Sequence, residues 1–185
     1  MRENDPGSKH AAAVLLVGDP RLRRVAAPIS RTEPRLMDDV ARLHATLARF
    51  RAEHGFGRAI SATQIGLARR FIALNLGEGP FTMFNPEITR RSGETFTLWD
   101  DCMSFPFLLV RVARDASIDV EFEDEAGRRQ RWERLDRATS ELLQHEIDHL
   151  DGVLAIDRAV DRDAIVSREV FETMPEHFAR LVAPP

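Results

Sequence analysis

The chain has 185 residues, of which 43% are hydrophobic and 30% charged, enough apolar material for one globular core and too much for a disordered or low-complexity chain. A formal net charge of −4 argues against general binding to nucleic acid or acidic membranes, although the basic side chains are almost all arginine, Lys9 being the single lysine. Cys102 is the only cysteine, which rules out an internal disulfide framework, and no apolar run approaches the roughly 20 residues needed to span a bilayer. A cytoplasmic protein with no membrane and no specific DNA partner is the expectation.

Residues 1–12 are expected to form a mobile N-terminal tail ahead of a single domain that fills the rest of 1–185. From Val14 to Ser30 a short apolar run is broken by Gly18-Asp19-Pro20 and Pro28, as in a loop laid over a surface. Between Pro34 and His54, Leu36, Val40, Leu43, Leu47 and Phe50 recur at helical steps and Gly55 stands just past the end, so a helix is predicted. Short strands are predicted at Phe71 to Leu76, Phe81 to Phe84, Glu94 to Trp99, Leu108 to Val112 and Ser117 to Glu123. A turn at Glu125-Ala126-Gly127 leads to a last strand at Arg129 to Glu133. A second helix is predicted from Thr139 to Leu150, with an apolar stripe of Leu142, Leu143, Ile147 and Leu150, Thr139 or Ser140 as its cap and Gly152 as its stop. A short amphipathic helix interrupted at Pro175 is expected within Arg162 to Leu181. The fold class that follows is α+β, with antiparallel or mixed sheets around a buried late helix.

That second helix carries His145-Glu146-Ile147-Asp148-His149. Spacing i and i+4 puts both imidazoles on one helix face, where they can chelate one metal ion with Glu146 beside it. On an apolar helix, unpaired histidines and acids would be costly, which weighs against two merely solvated imidazoles. A catalytic site of this kind needs a third protein ligand. Position 155, where an endopeptidase of the HExxHxxGxxH type has its third histidine, is Ala155; Glu169, Glu172 and Cys102 remain as candidates.

Three blocks carry a resemblance. Gln144 to Gly152, QHEIDHLDG, looks like the HExxH block of the peptide deformylases; Asp100 to Ser104, DDCMS, resembles their E-G-C-L-S block; Gly57 to Gln64, GRAISATQ, is similar to their G-x-G-x-A-A-x-Q block. The opening VGDPRLRRVAAPI is also similar, so the resemblance runs from about Val14 to Arg158. It implies that Cys102, His145 and His149 bind one divalent metal ion per chain, Fe(II) in cells with Zn(II), Ni(II) or Co(II) as substitutes. The implied reaction is hydrolysis of the N-formyl group of N-formylmethionyl peptides on nascent chains, a step of N-terminal processing, with the ribosome as a further candidate partner. Glu146 would be general base and then general acid, and the Gln64 amide and the Met103 backbone N–H would donate to the formyl oxygen. Gly57, Arg58 and Ala59 would line the substrate, pairing with its backbone as a strand does.

The sequence departs from those blocks at two places. Ala59 stands for a glycine and adds a methyl where substrate should approach, and Asp101 puts a carboxylate beside the cysteine, either solvated or repelling acidic substrates. They motivate two alternatives, a divergent relative acting on another small formamide and a non-catalytic metal-binding module. Asp100 is expected to pair with Arg111 or Arg114 and hold the ligand loop. The run FLLV after Pro106 either walls the methionine pocket or continues a strand. His44, His54 and His177 are expected at the surface, Trp99 and Trp132 in the core, and RRQRWER at 128–134 on a charged strand edge rather than an RNA face.

Overall fold

A computed structural model describes residues 11–182. Helix α1 spans Leu36–His54 and buries Leu36, Val40, Leu43, Leu47 and Phe50, the predicted stripe, while Gly55 ends it at φ 78°. Five strands, β1 (Ala59–Ser61), β2 (Phe71–Asn75), β3 (Pro80–Arg91), β6 (Ile118–Glu123) and β7 (Arg129–Trp132), form one sheet in the order β1-β2-β3-β6-β7. The others, β4 (Thr95–Asp101), β5 (Leu108–Asp115) and β8 (Ile165–Ser167), form a second in the order β4-β5-β8. Every strand pair within the two sheets is antiparallel.

Helix α2 (Arg137–Leu150) packs against β1 of the first sheet and β5 of the second, so it lies between them. Leu143 and Leu150 are fully buried and Leu142 and Ile147 nearly so, together with Ile72, Leu74, Met83 and Val120 of the large sheet. Because sheet material covers both sides, the polar face of α2 is buried too, and Gln144, His145, Glu146, Asp148 and His149 must all find partners inside the protein. This is the arrangement expected for an α+β fold around a buried helix.

Several boundaries differ from the sequence reading. Asp136 caps α2, its side chain accepting from the Thr139 N–H at 3.0 Å, so the helix starts before Thr139. Strand β3 runs on past Phe84 because the register shifts between Phe84 and Glu87, stepping over Pro86, which has no N–H to give the ladder. Of FLLV, Leu108 to Val110 open strand β5, and Phe107 is exposed in the turn before it. The C-terminal stretch holds β8 and two short helices, α3 (Arg168–Thr173) and α4 (Pro175–Ala179), where one interrupted helix was expected.

Of the predicted tail, residues 1–10 lie outside the described residues, but residues 11 and 12 do not behave as a tail: Ala12 is buried and its N–H donates to Thr46 Oγ1 at 2.8 Å. The stretch from Val14 to Ser30 is a strap rather than a loose loop. Leu15 and Val17 donate to the carbonyls of Gln64 and Ser104, and Ala26 to that of Leu150, so the strap ties together the three segments that carry the site. Strand β7 is the charged edge expected, with Arg129 and Arg131 paired to Glu121. Among the described residues no helix is long and apolar enough to cross a membrane.

Candidate metal centre

Three elements converge on one point. The end of β4 leads into Cys102, β1 runs into a 3-10 turn (Ala62–Ile65) that carries Gln64, and α2 supplies His145, Glu146 and His149. The Cys102 sulfur and one nitrogen from each of His145 and His149 lie within 4.8 Å of one another, and all three residues are buried. Cys102 Sγ is 3.2 Å from His149 Nε2, and the two imidazole centroids are 4.9 Å apart. Glu169 and Glu172, the other candidate ligands, are exposed on α3 and take no part.

The donor chemistry fits a divalent metal. A carboxylate oxygen of Asp100 lies 3.0 Å from His145 Nδ1, which leaves Nε2 of that ring for an ion and fixes its orientation. Asp100 is in turn held by Arg114 at 3.0 Å, the second of the two arginines considered, and Arg114 also pairs with Asp148, which Arg158 meets from the other side at 2.8 Å. Burial pulls the Asp100 carboxyl upward, but His145 and Arg114 outweigh it and hold the group below the usual carboxylate range. The same carboxylate overcomes the burial of His145 and keeps that ring well above the ordinary imidazole range, whereas His149, buried and beside His145, is pushed well below it.

Glu146 is buried and sits between these groups and Ser61, whose Oγ lies 2.6 Å from Glu146 Oε2 and 2.7 Å from the Glu146 carbonyl oxygen. Burial pushes its carboxyl up. Gln64 is 1% exposed, so it is no surface amide. Its Oε1 accepts from the Ser61 N–H at 2.9 Å, which turns Nε2 toward Ser104 Oγ at 3.2 Å and Cys102 Sγ at 3.7 Å. Met103 is buried, and among the described residues its backbone N–H has no acceptor.

A cavity of about 370 Å³ opens beside this cluster, and Gly57, Arg58, Ala59, Gln64, Met103 and Glu146 are on its wall. Gly57 has φ 111°, a conformation that strains any other residue, and a Cβ there would come 2.5 Å from the terminal methyl of Met103 and push that flexible side chain aside. Ala59 sits in β1, an edge strand, opposite Leu74 of β2 and without a positive φ, and it is buried as part of the core cluster that also holds Ile72 and Leu142. Asp101 is neither free nor unopposed: Arg168 of α3 reaches it at 3.3 Å while lying over the Phe56 ring. Arg58 is engaged by Glu141 and by the Ala138 carbonyl at 3.1 Å. Burial and Asp100 push the Glu141 carboxyl up, against Arg58.

Some residues occupy other places than expected. Trp99 is half-buried on the cavity wall, wedged against Phe171 and Phe178, and its indole N–H donates to the Phe178 carbonyl at 2.9 Å. His44 is not a surface histidine but meets Thr82 Oγ1 at 2.8 Å. Ser61 and Glu141 had no assigned role from sequence. Ser61 was visible only as a small residue within GRAISATQ, and Glu141 only as the position four before His145.

Residues 11–164 match the family described as Polypeptide deformylase. The peptide deformylase of Thermotoga maritima is 34% identical over 145 residues, covering 78% of this chain and 85% of that protein. The crystal structure of a peptide deformylase from Thermotoga maritima superposes with a TM-score of 0.73 at 33% identity, covering 82% of this chain and 99% of that one. A peptide deformylase from Synechococcus elongatus, in complex with actinonin, gives a TM-score of 0.74 at 29% identity over 89% of this chain and 85% of that one.

Proposed function

The chain belongs to the polypeptide deformylase family, and from that premise we propose that Cys102, His145 and His149 hold one divalent metal ion, Fe(II), with Zn(II), Ni(II) or Co(II) able to replace it. The enzyme is a hydrolase that removes the N-formyl group from N-formylmethionyl peptides, a processing step in protein biosynthesis. Matches to peptide deformylases over most of the chain favour this over another formamidase and over a non-catalytic module. The observation that carries the site assignment is the buried Cys-His-His cluster with Glu146 and the Gln64 amide beside it.

Such an ion, when bound, makes water a nucleophile near neutral pH and polarises the formyl carbonyl. Glu146 takes the proton of the attacking water and passes it to the departing amine; Ser61 holds its carboxylate in place. Gln64 Nε2 and the Met103 N–H donate to the formyl oxygen as negative charge builds there. The edge strand β1, which opens at Ala59 directly after Gly57 and Arg58, pairs with the peptide backbone. The substrate reaches the enzyme on nascent chains in the cytoplasm, at or near the ribosome, without DNA or membrane as partner. The whole of 1–185 is read as one domain.

The test is formate release from a short formyl-Met peptide by protein purified without oxygen and loaded with Fe(II), beside the same protein stripped by a chelator. Turnover that needs the metal is expected. Formate release that persists after complete stripping contradicts the metal assignment, and none from the loaded protein contradicts the function.

A further inference from the structure

We propose that the Arg58–Glu141 ion pair reads the first side chain of the substrate and lets this enzyme accept first residues that end in a hydrogen-bond donor alongside methionine. The inference rests on the deformylase reading of the site. Glu141 stands four residues before His145 on α2, so the two side chains share one helix face roughly 6 Å apart. Both Glu141 and Arg58 are on the cavity wall. In an N-formyl peptide the amide nitrogen, α-carbon and β-carbon follow directly from the formyl carbon. Whatever group the cluster holds by its formyl end therefore places its first side chain within about one helical turn of His145, where Glu141 stands.

The wall it meets there is charged. The Glu141 side chain is 14% exposed, against 43% for Arg58, so the carboxylate lies inside and the guanidinium at the rim. Arg58 donates to Glu141 Oε1 and to the Ala138 carbonyl, and no other hydrogen bond reaches the Glu141 carboxylate among the described residues. A thioether seated against this pair strips water from it and returns no hydrogen bond. A side-chain amide or hydroxyl returns one, and the difference is the cost of a buried acceptor left unpaired. Leu98, Trp99 and Leu142 line the same cavity and supply apolar surface that takes the methylene stem in either case. The pair thus sets which end groups are tolerated without touching the formyl chemistry.

The test compares kcat/KM of the Fe(II)-loaded enzyme for formyl-Met and formyl-Gln peptides that are otherwise identical, in the wild type and in the double variant Arg58→Leu, Glu141→Leu. Loss of the pair is expected to raise the Met-to-Gln ratio about tenfold, mostly through KM for the Gln peptide. General damage to the fold lowers both rates and leaves the ratio alone. A ratio that stays within about twofold, or falls, overturns the proposal. Should the double variant not fold, Glu141→Gln keeps the volume and removes the charge; a rise of about threefold is expected from it, and no change overturns the proposal. Wild-type enzyme that releases formate from neither peptide refutes the deformylase reading instead.

Discussion

Asp100→Asn isolates the group that holds the candidate ligands in register. In the wild type both carboxylate oxygens lie 3.0 Å from His145 Nδ1, and Oδ2 also accepts from Arg114 at 3.0 Å, so one anion satisfies two donors. An asparagine oxygen in the Oδ2 position still reaches both donors, but it carries no charge and sets the NH2 where Oδ1 lay, 3.0 Å from the imidazole Nδ1; the reverse orientation turns the NH2 on both donors. Breaking a fully buried ion pair costs about 3–5 kcal/mol, and since Arg114 keeps Asp148 as a second partner, about half of that, ~2 kcal/mol, is the expected loss of stability. Losing the orienting partner of a ligating histidine costs roughly 10–100-fold in metal affinity. Urea unfolding gives the first number, and titration with Co(II) against a competing chelator gives the second. Affinity within about twofold of wild type, in a variant that has lost the expected stability, would refute the claim that Asp100 orients a ligand.

Two predictions concern the frame around the site. Gly152 has φ 73°, and a Cβ there would lie 2.6 Å from the Arg23 carbonyl oxygen, so Gly152→Ala should cost at least about 2 kcal/mol by forcing apart the end of α2 and the strap; a loss below about 0.5 kcal/mol in urea unfolding would contradict that contact. Asp124 accepts from the Arg128 backbone N–H, and with help from Gln130 and the Arg128 side chain, against burial, its carboxyl is held at about 2. The folded value lies below the unfolded one of about 4, so its stabilisation is present above about pH 4 and is lost as pH falls toward 2. Asp124→Asn should therefore melt lower than wild type at neutral pH and lose less between about pH 4 and pH 2, and parallel melting curves would contradict it.

The long amphipathic and alternating segments were legible because burial on one side imposes a period: α1, α2 and the cores of β2, β5 and β6 all follow their apolar spacing. Strands β1 and β8 are three residues long, too short for a period to register, and β3 passes a proline that sequence alone takes as an end. The ligand set was legible because few side chains do its chemistry and the chain has one cysteine. Asp100 and Arg114 were half legible, since charge suggested a pair but not which arginine. Arg58 and Glu141 were not, because their pairing joins residues 83 apart through the docking of α2 on β1.

The central claim is that a Cys-His-His cluster holds the metal and that Glu146 moves the proton. One Fe(II)-loaded sample of Glu146→Ala, prepared without oxygen, gives both answers when bound metal and formate release from a formyl-Met peptide are measured together. The account predicts one equivalent of metal, as in wild type, with turnover reduced by at least about 100-fold. Near-normal turnover in that sample would contradict it.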